Sequence, residues 1–244
     1  MAPEAVDRRL VVAISSRTLF DLDDSHAVFE RAGVAAYADY QVARENQPLP
    51  PGVAFPLVRK LLALNEGAAP EAPRVEVILL SRNSADTGLR IFNSIEHHGL
   101  AVSRAAFTSG EPTWPYTRPF GAQLFLSANP DSVRAALENG VAAATILPAK
   151  APQHRHDQLR IAFDGDAVIF GDESERVSQL QGIDAFHEHE RTRAREALSG
   201  GPFRGFLSAL HDLQAAYPPG DEAPIRTAGI TPGPAMQMAD KGKD

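Results

Sequence analysis

The run Leu10-Val11-Val12-Ala13-Ile14 is apolar without interruption. A strand with polar alternation can leave one face in water. This one cannot, so it has to lie in a sheet covered on both faces, as parallel sheets are. The same demand recurs along the chain. Val75-Glu76-Val77-Ile78-Leu79-Leu80, Leu124-Phe125-Leu126 and Ala142 to Leu147 are further short apolar runs, and Phe107 marks another. Helical patterns separate them. One helix is expected over Ser25 to Ala32, capped by Asp23-Asp24-Ser25 and stopped by Gly33, and another over Tyr37 to Glu45. Phe55 to Leu64 places Leu57, Leu61 and Leu64 on one face. Asp86 to His98 ends at Gly99, and Pro130 to Asn139 ends at Gly140. Alternating strand and helix specify an α/β fold with a parallel sheet.

Leu159-Arg160-Ile161-Ala162-Phe163 is one more such run, and it stops at two carboxylates, Asp164 and Asp166. Alternation turns both to the same side of an extended chain, and Gly165 between them lets the backbone turn towards a ligand. Two acids this close repel each other. A divalent cation such as Mg²⁺, which takes carboxylate and phosphate oxygens, would compensate their charge. The same residues also fit a strand followed by a polar Asp-Gly turn.

The chain matches itself when shifted by about 149 residues. Leu10 to Ile14 falls on Leu159 to Phe163, Gly33-Val34 on Gly182-Ile183, and Gly52 on Gly201. Leu57, Leu61 and Leu64 fall on Phe206, Leu210 and Leu213, and the strand ending at Ser81 falls on Ile225 to Thr231. Two similar α/β units follow, and in the first of them Ser15 and Arg17 stand where the second has Asp164 and Asp166.

Composition removes several classes of function. The formal net charge is −7, which disfavours nucleic acid and anionic membranes as partners. There is no cysteine, so thiolate chemistry, disulfides and cysteine metal sites are excluded. Met1 to Arg9 has no apolar core of the signal-peptide kind, and no run approaches the roughly 18 apolar residues of a membrane span, so a cytoplasmic location is expected. No Gly-rich phosphate loop is present. His187 and His189 are two apart and do not share a helical face, so His187-Glu-His-Glu190 reads as a solvated helix face. His97-His98 reads as a helix end. Trp114 and Tyr116 suit either stacking on a base or packing of the 111–119 loop onto the core. Ser81, Arg82, Asn83 and Asp86 follow a strand end, where α/β folds hold ligands, and are candidates for substrate contact or for the interface between the units.

Phe163-Asp-Gly-Asp-Ala-Val resembles the first motif of the haloacid dehalogenase superfamily, a hydrophobic strand followed by Asp-x-Asp-x-Thr/Val. The longer string running on to Glu175 is similar to the cytosolic 5′-nucleotidase type I family. So are Ser81-Arg-Asn-Ser-Ala-Asp-Thr-Gly-Leu-Arg-Ile-Phe-Asn-Ser-Ile-Glu96, Phe120-Gly-Ala-Gln-Leu-Phe-Leu-Ser-Ala-Asn129 and Gly201-Pro-Phe203. The resemblance runs from Leu10 to Thr231. It implies two repeated Rossmann-like, haloacid dehalogenase-like three-layer units with parallel sheets, the second incomplete. The expected division is a first unit over 1–150 without the acidic motif, a second over 151–231 with it, and a disordered tail over 232–244.

The resemblance also implies Mg²⁺-dependent hydrolysis of AMP-like nucleoside 5′-monophosphates. Asp164 would be the nucleophile and form an aspartyl-phosphate, Asp166 would be the acid and then the base, and both would serve the metal. Thr231 falls on the second motif, whose hydroxyl binds the phosphoryl group. The family pattern continues with an Ala-Arg pair, a lysine and an Asp-Asp strand end. Here Thr231 is followed by Pro232-Gly233, and neither the lysine nor the acidic pair can be placed, as expected of a truncated member. The alternative is a catalytically impaired homologue that binds nucleotide or a partner. An incomplete second sheet leaves an open edge, which invites association into a homo-oligomer.

Overall fold

The structure is a computed structural model and describes residues 9–147, 158–164, 201–218, 220 and 222–230. Seven strands and six helices are used below: β1 (Leu10–Ile14), α1 (Ser16–Leu19), α2 (Asp23–Val42), α3 (Phe55–Ala63), β2 (Val75–Ser81), α4 (Ala85–His97), β3 (Ala105–Phe107), β4 (Leu124–Ser127), α5 (Pro130–Glu138), β5 (Ala143–Thr145), β6 (Leu159–Asp164), α6 (Arg204–Ala215) and β7 (Ile225–Ile230). A 3₁₀ turn, Trp114–Tyr116, lies in the loop before β4.

The apolar runs form a parallel sheet in the order β3-β2-β1-β4-β5, as the fold class requires. β1 is the centre and every one of its residues is buried. Leu10, Val12 and Ile14 join one core cluster, with Phe55, Val58, Leu61, Ile91 and Ile95 of α3 and α4. Val11 and Ala13 face the opposite way, into a second cluster with Val133 and Ala136 of α5, and Trp114 packs against it. Helices on both faces of one sheet explain why β1 has no polar position.

The helix expected to stop at Gly33 does stop there, and α2 is two helical stretches that meet at that residue. α2 is helical on both sides of Gly33, which alone leaves helical geometry at φ 81 and ψ −173. Glycine tolerates that conformation, so one residue ends the first stretch and a second begins at once after it.

β6 and β7 form a separate parallel pair. Their register starts at Leu159 opposite Ile225, and that of β1 and β2 starts at Leu10 opposite Val75. Leu10 to Leu159 is a step of 149 residues and Val75 to Ile225 a step of 150, so the second pair repeats the alignment of the first. The hydrogen bond that opens each pair is repeated too: Leu10 N–H donates to Arg74 O at 2.9 Å, and Leu159 N–H to Pro224 O at 2.8 Å. The contacts between the pairs are reciprocal. α3 packs against β6, and α6, its counterpart in the repeat, packs against β1. Phe206, Leu210 and Leu213 of α6 complete the cluster around Leu10, Val12 and Ile14. Two equivalent faces therefore meet as the identical faces of a twofold dimer do. Lys60 Nζ donates to Gln158 O at 3.3 Å, and the Tyr217 hydroxyl to Leu64 O at 2.5 Å, across the same seam.

The expected boundary near residue 150, Asp166, His187-Glu-His-Glu190, Thr231 and the 232–244 tail lie outside the described residues.

Candidate functional site

Parallel strands finish on one edge of the sheet, so the residues that follow β1, β2 and β4 meet there. β1 lies between β2 and β4, and the chain leaves it in opposite directions, which opens a crevice at that edge. A cavity of about 670 Å³ occupies the crevice.

Side-chain hydroxyls tie its floor together. Ser15 follows β1, its N–H donating to Leu126 O at 3.0 Å and its Oγ lying 2.5 Å from Thr18 Oγ1. Ser16 Oγ lies 2.9 Å from Ser81 Oγ, which also accepts from the Asn83 N–H at 3.2 Å. The loop after β3 clamps the loop after β2. Thr108 N–H donates to Ser81 O at 2.9 Å, Ser109 N–H to Asn83 O at 3.0 Å and Gly110 N–H to Arg82 O at 2.7 Å, and Arg82 Nε returns a bond to Gly110 O at 2.9 Å. After β4, Ser127 Oγ accepts from Asn129 N–H at 3.1 Å, and Asn129 Oδ1 accepts from Ser132 N–H at 2.9 Å, capping α5. The wall opposite is aromatic and comes from α2. His26 stacks on Phe29 with ring centres 5.9 Å apart, and Phe29 meets Tyr37 edge-on at 6.3 Å.

The helix that supplies this wall is anchored to α4. Arg90 Nη1 donates to Gln41 Oε1 at 2.8 Å and Arg90 Nε to Gln47 O at 3.0 Å. Burial holds the Arg90 guanidinium below its ordinary pKa.

Of the residues expected at the end of β2, Arg82 and Asn83 line the cavity. Ser81 is buried, bonded to Ser16 and Asn83. Asp86 stands exposed in the first turn of α4, outside the lining. Its carboxyl lies below the usual carboxylate range, chiefly through the Ser84 side chain and then the Thr87 N–H. The Asn83 Nδ2 is buried and has no hydrogen-bond partner.

The acidic motif belongs to the second strand pair. Asp164 is the last residue of β6, and its Cα is opposite Ile230, the residue before Thr231. The repeated register places Ser15 of the first pair where Asp164 stands in the second, and the same shift of the sequence pairs Ser81 with Thr231.

Sequence reading alone did not assemble Ser15, Arg17, Ser127 and Asn129 with Asn83, nor bring His26 and Tyr37 over them. The signal was the small polar residues that close each apolar run. His97-His98 stands at a helix end, as expected. His98 ends α4, with Nε2 2.8 Å from Leu49 O and its ring against Phe20 and Phe55.

The 5′-nucleotidase family pattern matches residues 2–238. Cytosolic 5′-nucleotidase 1B of Homo sapiens is 34% identical over 237 residues, which cover 94% of this chain and 39% of that protein. The chain thus spans about two-fifths of the length of this curated relative. No solved structure matches it. A match that takes in both strand pairs, the crevice and the acidic motif settles one point: the chain belongs to the 5′-nucleotidase family.

Proposed function

We propose that the chain hydrolyses nucleoside 5′-monophosphates, AMP among them, to nucleoside and phosphate with Mg²⁺. Family membership supports the reaction class. The observation that carries the residue roles is the place of Asp164, at the carboxyl end of a parallel strand and opposite the residue before Thr231. Such strand ends hold ligands and reacting groups in α/β folds.

In this reading an Asp164 carboxylate oxygen attacks phosphorus and the bond from phosphorus to the ribose O5′ breaks. Asp166 gives its proton to O5′ as the nucleoside leaves. Asp166 then takes a proton from water, which attacks the aspartyl-phosphate and frees inorganic phosphate and the Asp164 carboxylate. The Thr231 hydroxyl donates to a phosphoryl oxygen.

The donor chemistry fits Mg²⁺. Asp164 and Asp166 offer hard carboxylate oxygens, and the chain contains no cysteine to select a softer ion. When bound, Mg²⁺ offsets the charge that would keep a carboxylate from attacking a phosphate dianion.

We also place the chain in the cytoplasm. The human relative is named cytosolic, and no helix among the described residues is long and apolar enough to cross a membrane.

The covalent step is tested by acid-quenching the protein with AMP labelled in its phosphate. The reading expects label on the protein that disappears with Asp164→Asn. Turnover without transient labelling in any quench interval contradicts a covalent path.

A further inference from the structure

We propose that the crevice of the five-stranded sheet is a second nucleotide site, which binds a nucleoside monophosphate without hydrolysing it. The repeat sets the position. Ser15 occupies the place that Asp164 holds in the other strand pair, and the same shift of the sequence pairs Ser81 with Thr231. A phosphate held there meets a serine hydroxyl already engaged with Thr18 and no carboxylate nucleophile.

The charge of the lining sets the chemistry of the ligand. The chain carries 31 acidic residues against 24 lysines and arginines, yet among the described residues no aspartate or glutamate lines this cavity. Arg17 and Arg82 do. Arg17 leans on exposed Asp23 at 3.5 Å, and Arg82 uses Nε on Gly110, so neither guanidinium is locked in a buried ion pair. α4 and α5 both begin at the cavity, through Ser84 and Asn129, and helix starts favour anions. Asn83 also lines the cavity, and its Nδ2 has no hydrogen-bond partner, so turning the amide towards the lumen breaks no bond and gives a phosphate one more donor.

The opposite wall sets the rest of the ligand. Phe29 and Tyr37, with His26 stacked beside them, present ring surface across from the polar floor. A cavity of about 670 Å³ has room for a drug-sized ligand. A molecule with a phosphate at one end and a flat ring at the other satisfies both walls. The choice of a nucleoside monophosphate among such molecules rests on the function proposed above. The demand for phosphate plus ring does not.

The test is equilibrium binding of AMP to the whole chain in EDTA, in an Asp164→Asn background that removes the proposed nucleophile. Ribose 5-phosphate, adenosine and inorganic phosphate serve as comparisons. We expect saturable binding of one AMP that is weakened at least about tenfold by Asn83→Asp, a near-isosteric change that puts a carboxylate against the phosphate. Ser15→Asp, which restores the acid of the other copy, should do the same. Circular dichroism melting identifies any variant that fails to fold, and the other variant then decides. Ribose 5-phosphate and adenosine should each bind more weakly than AMP. Absence of AMP binding, or binding indifferent to both folded variants, overturns the proposal. Either result leaves the hydrolytic reading standing if wild-type protein turns AMP over. Conversely, loss of the hydrolytic reading leaves this site intact if the two variants abolish binding.

Discussion

The hydroxyls of Ser16 and Ser81 lie 2.9 Å apart, both buried, and join the turn after β1 to the end of β2. Ser81 Oγ also accepts the Asn83 N–H. Ser81→Ala removes both bonds and strands two polar groups, so it should cost about 1–3 kcal/mol of stability. Ser16→Ala should cost less. Urea titrations of the two single variants and the double variant form a cycle, and the double should be more stable than the sum of the singles implies. Strict additivity would show that the bond does not hold the crevice floor.

Leu210 belongs to α6, yet it is buried in the cluster around β1. Leu210→Ala should therefore destabilise the five-stranded sheet, by about 2–5 kcal/mol. Trp114, the single tryptophan, packs on the far face of that sheet and reports its unfolding by fluorescence. The Trp114 transition should move to lower urea. An unmoved transition would mean that the reciprocal contact of α3 and α6 carries no stability.

Two glycines in helices should respond in opposite directions. A Cβ at Gly88 would lie 2.6 Å from the Phe107 ring, because α4 approaches β3 closely there. Gly88→Ala should cost about 1–3 kcal/mol through overpacking. A Cβ at Gly205 would meet nothing within 4 Å, and Gly205→Ala should stabilise by about 0.5–1 kcal/mol through helix propensity. Thermal melts of the two variants give the comparison, and a shared sign would contradict the packing described.

Asp86 supplies a pH dependence with a definite sign. Its carboxyl titrates below the usual carboxylate range, first because of Ser84 and then the Thr87 N–H. The folded state thus favours the charged form. Its contribution is complete above the unfolded carboxylate pKa of about 4 and is lost as pH falls through the lower folded value. Asp86→Asn should flatten the fall in melting temperature on acidification through that window and leave its pH dependence near neutrality unchanged. An unaltered acid profile would contradict the assignment.

The strands were legible because a parallel strand buried on both faces has no polar positions to confuse its ends. β1 begins and ends where the apolar run does. The duplication was legible because glycines and core leucines recur in order, although few residues are identical. Gly33 was legible as a helix stop because it leaves helical geometry, and only the start of the next helical stretch, expected at Tyr37, lies earlier, at Val34. The crevice was half legible. Arg82 and Asn83 were found from their place after a strand, but Ser15, Ser127 and Tyr37 come from distant segments and meet only through the order of the strands. The missing partner of Asn83 Nδ2 is a property of packing and leaves no trace in a linear chain.

The central claim, that Asp164 makes this chain a nucleotidase, is tested most directly by phosphate release from AMP with Mg²⁺ and with EDTA, in wild type and Asp164→Asn. The account predicts release by the wild type with Mg²⁺, none in EDTA, and a loss of several orders of magnitude in Asp164→Asn with an unchanged melting curve. Equal release by folded wild type and Asp164→Asn, or none from either, would contradict it.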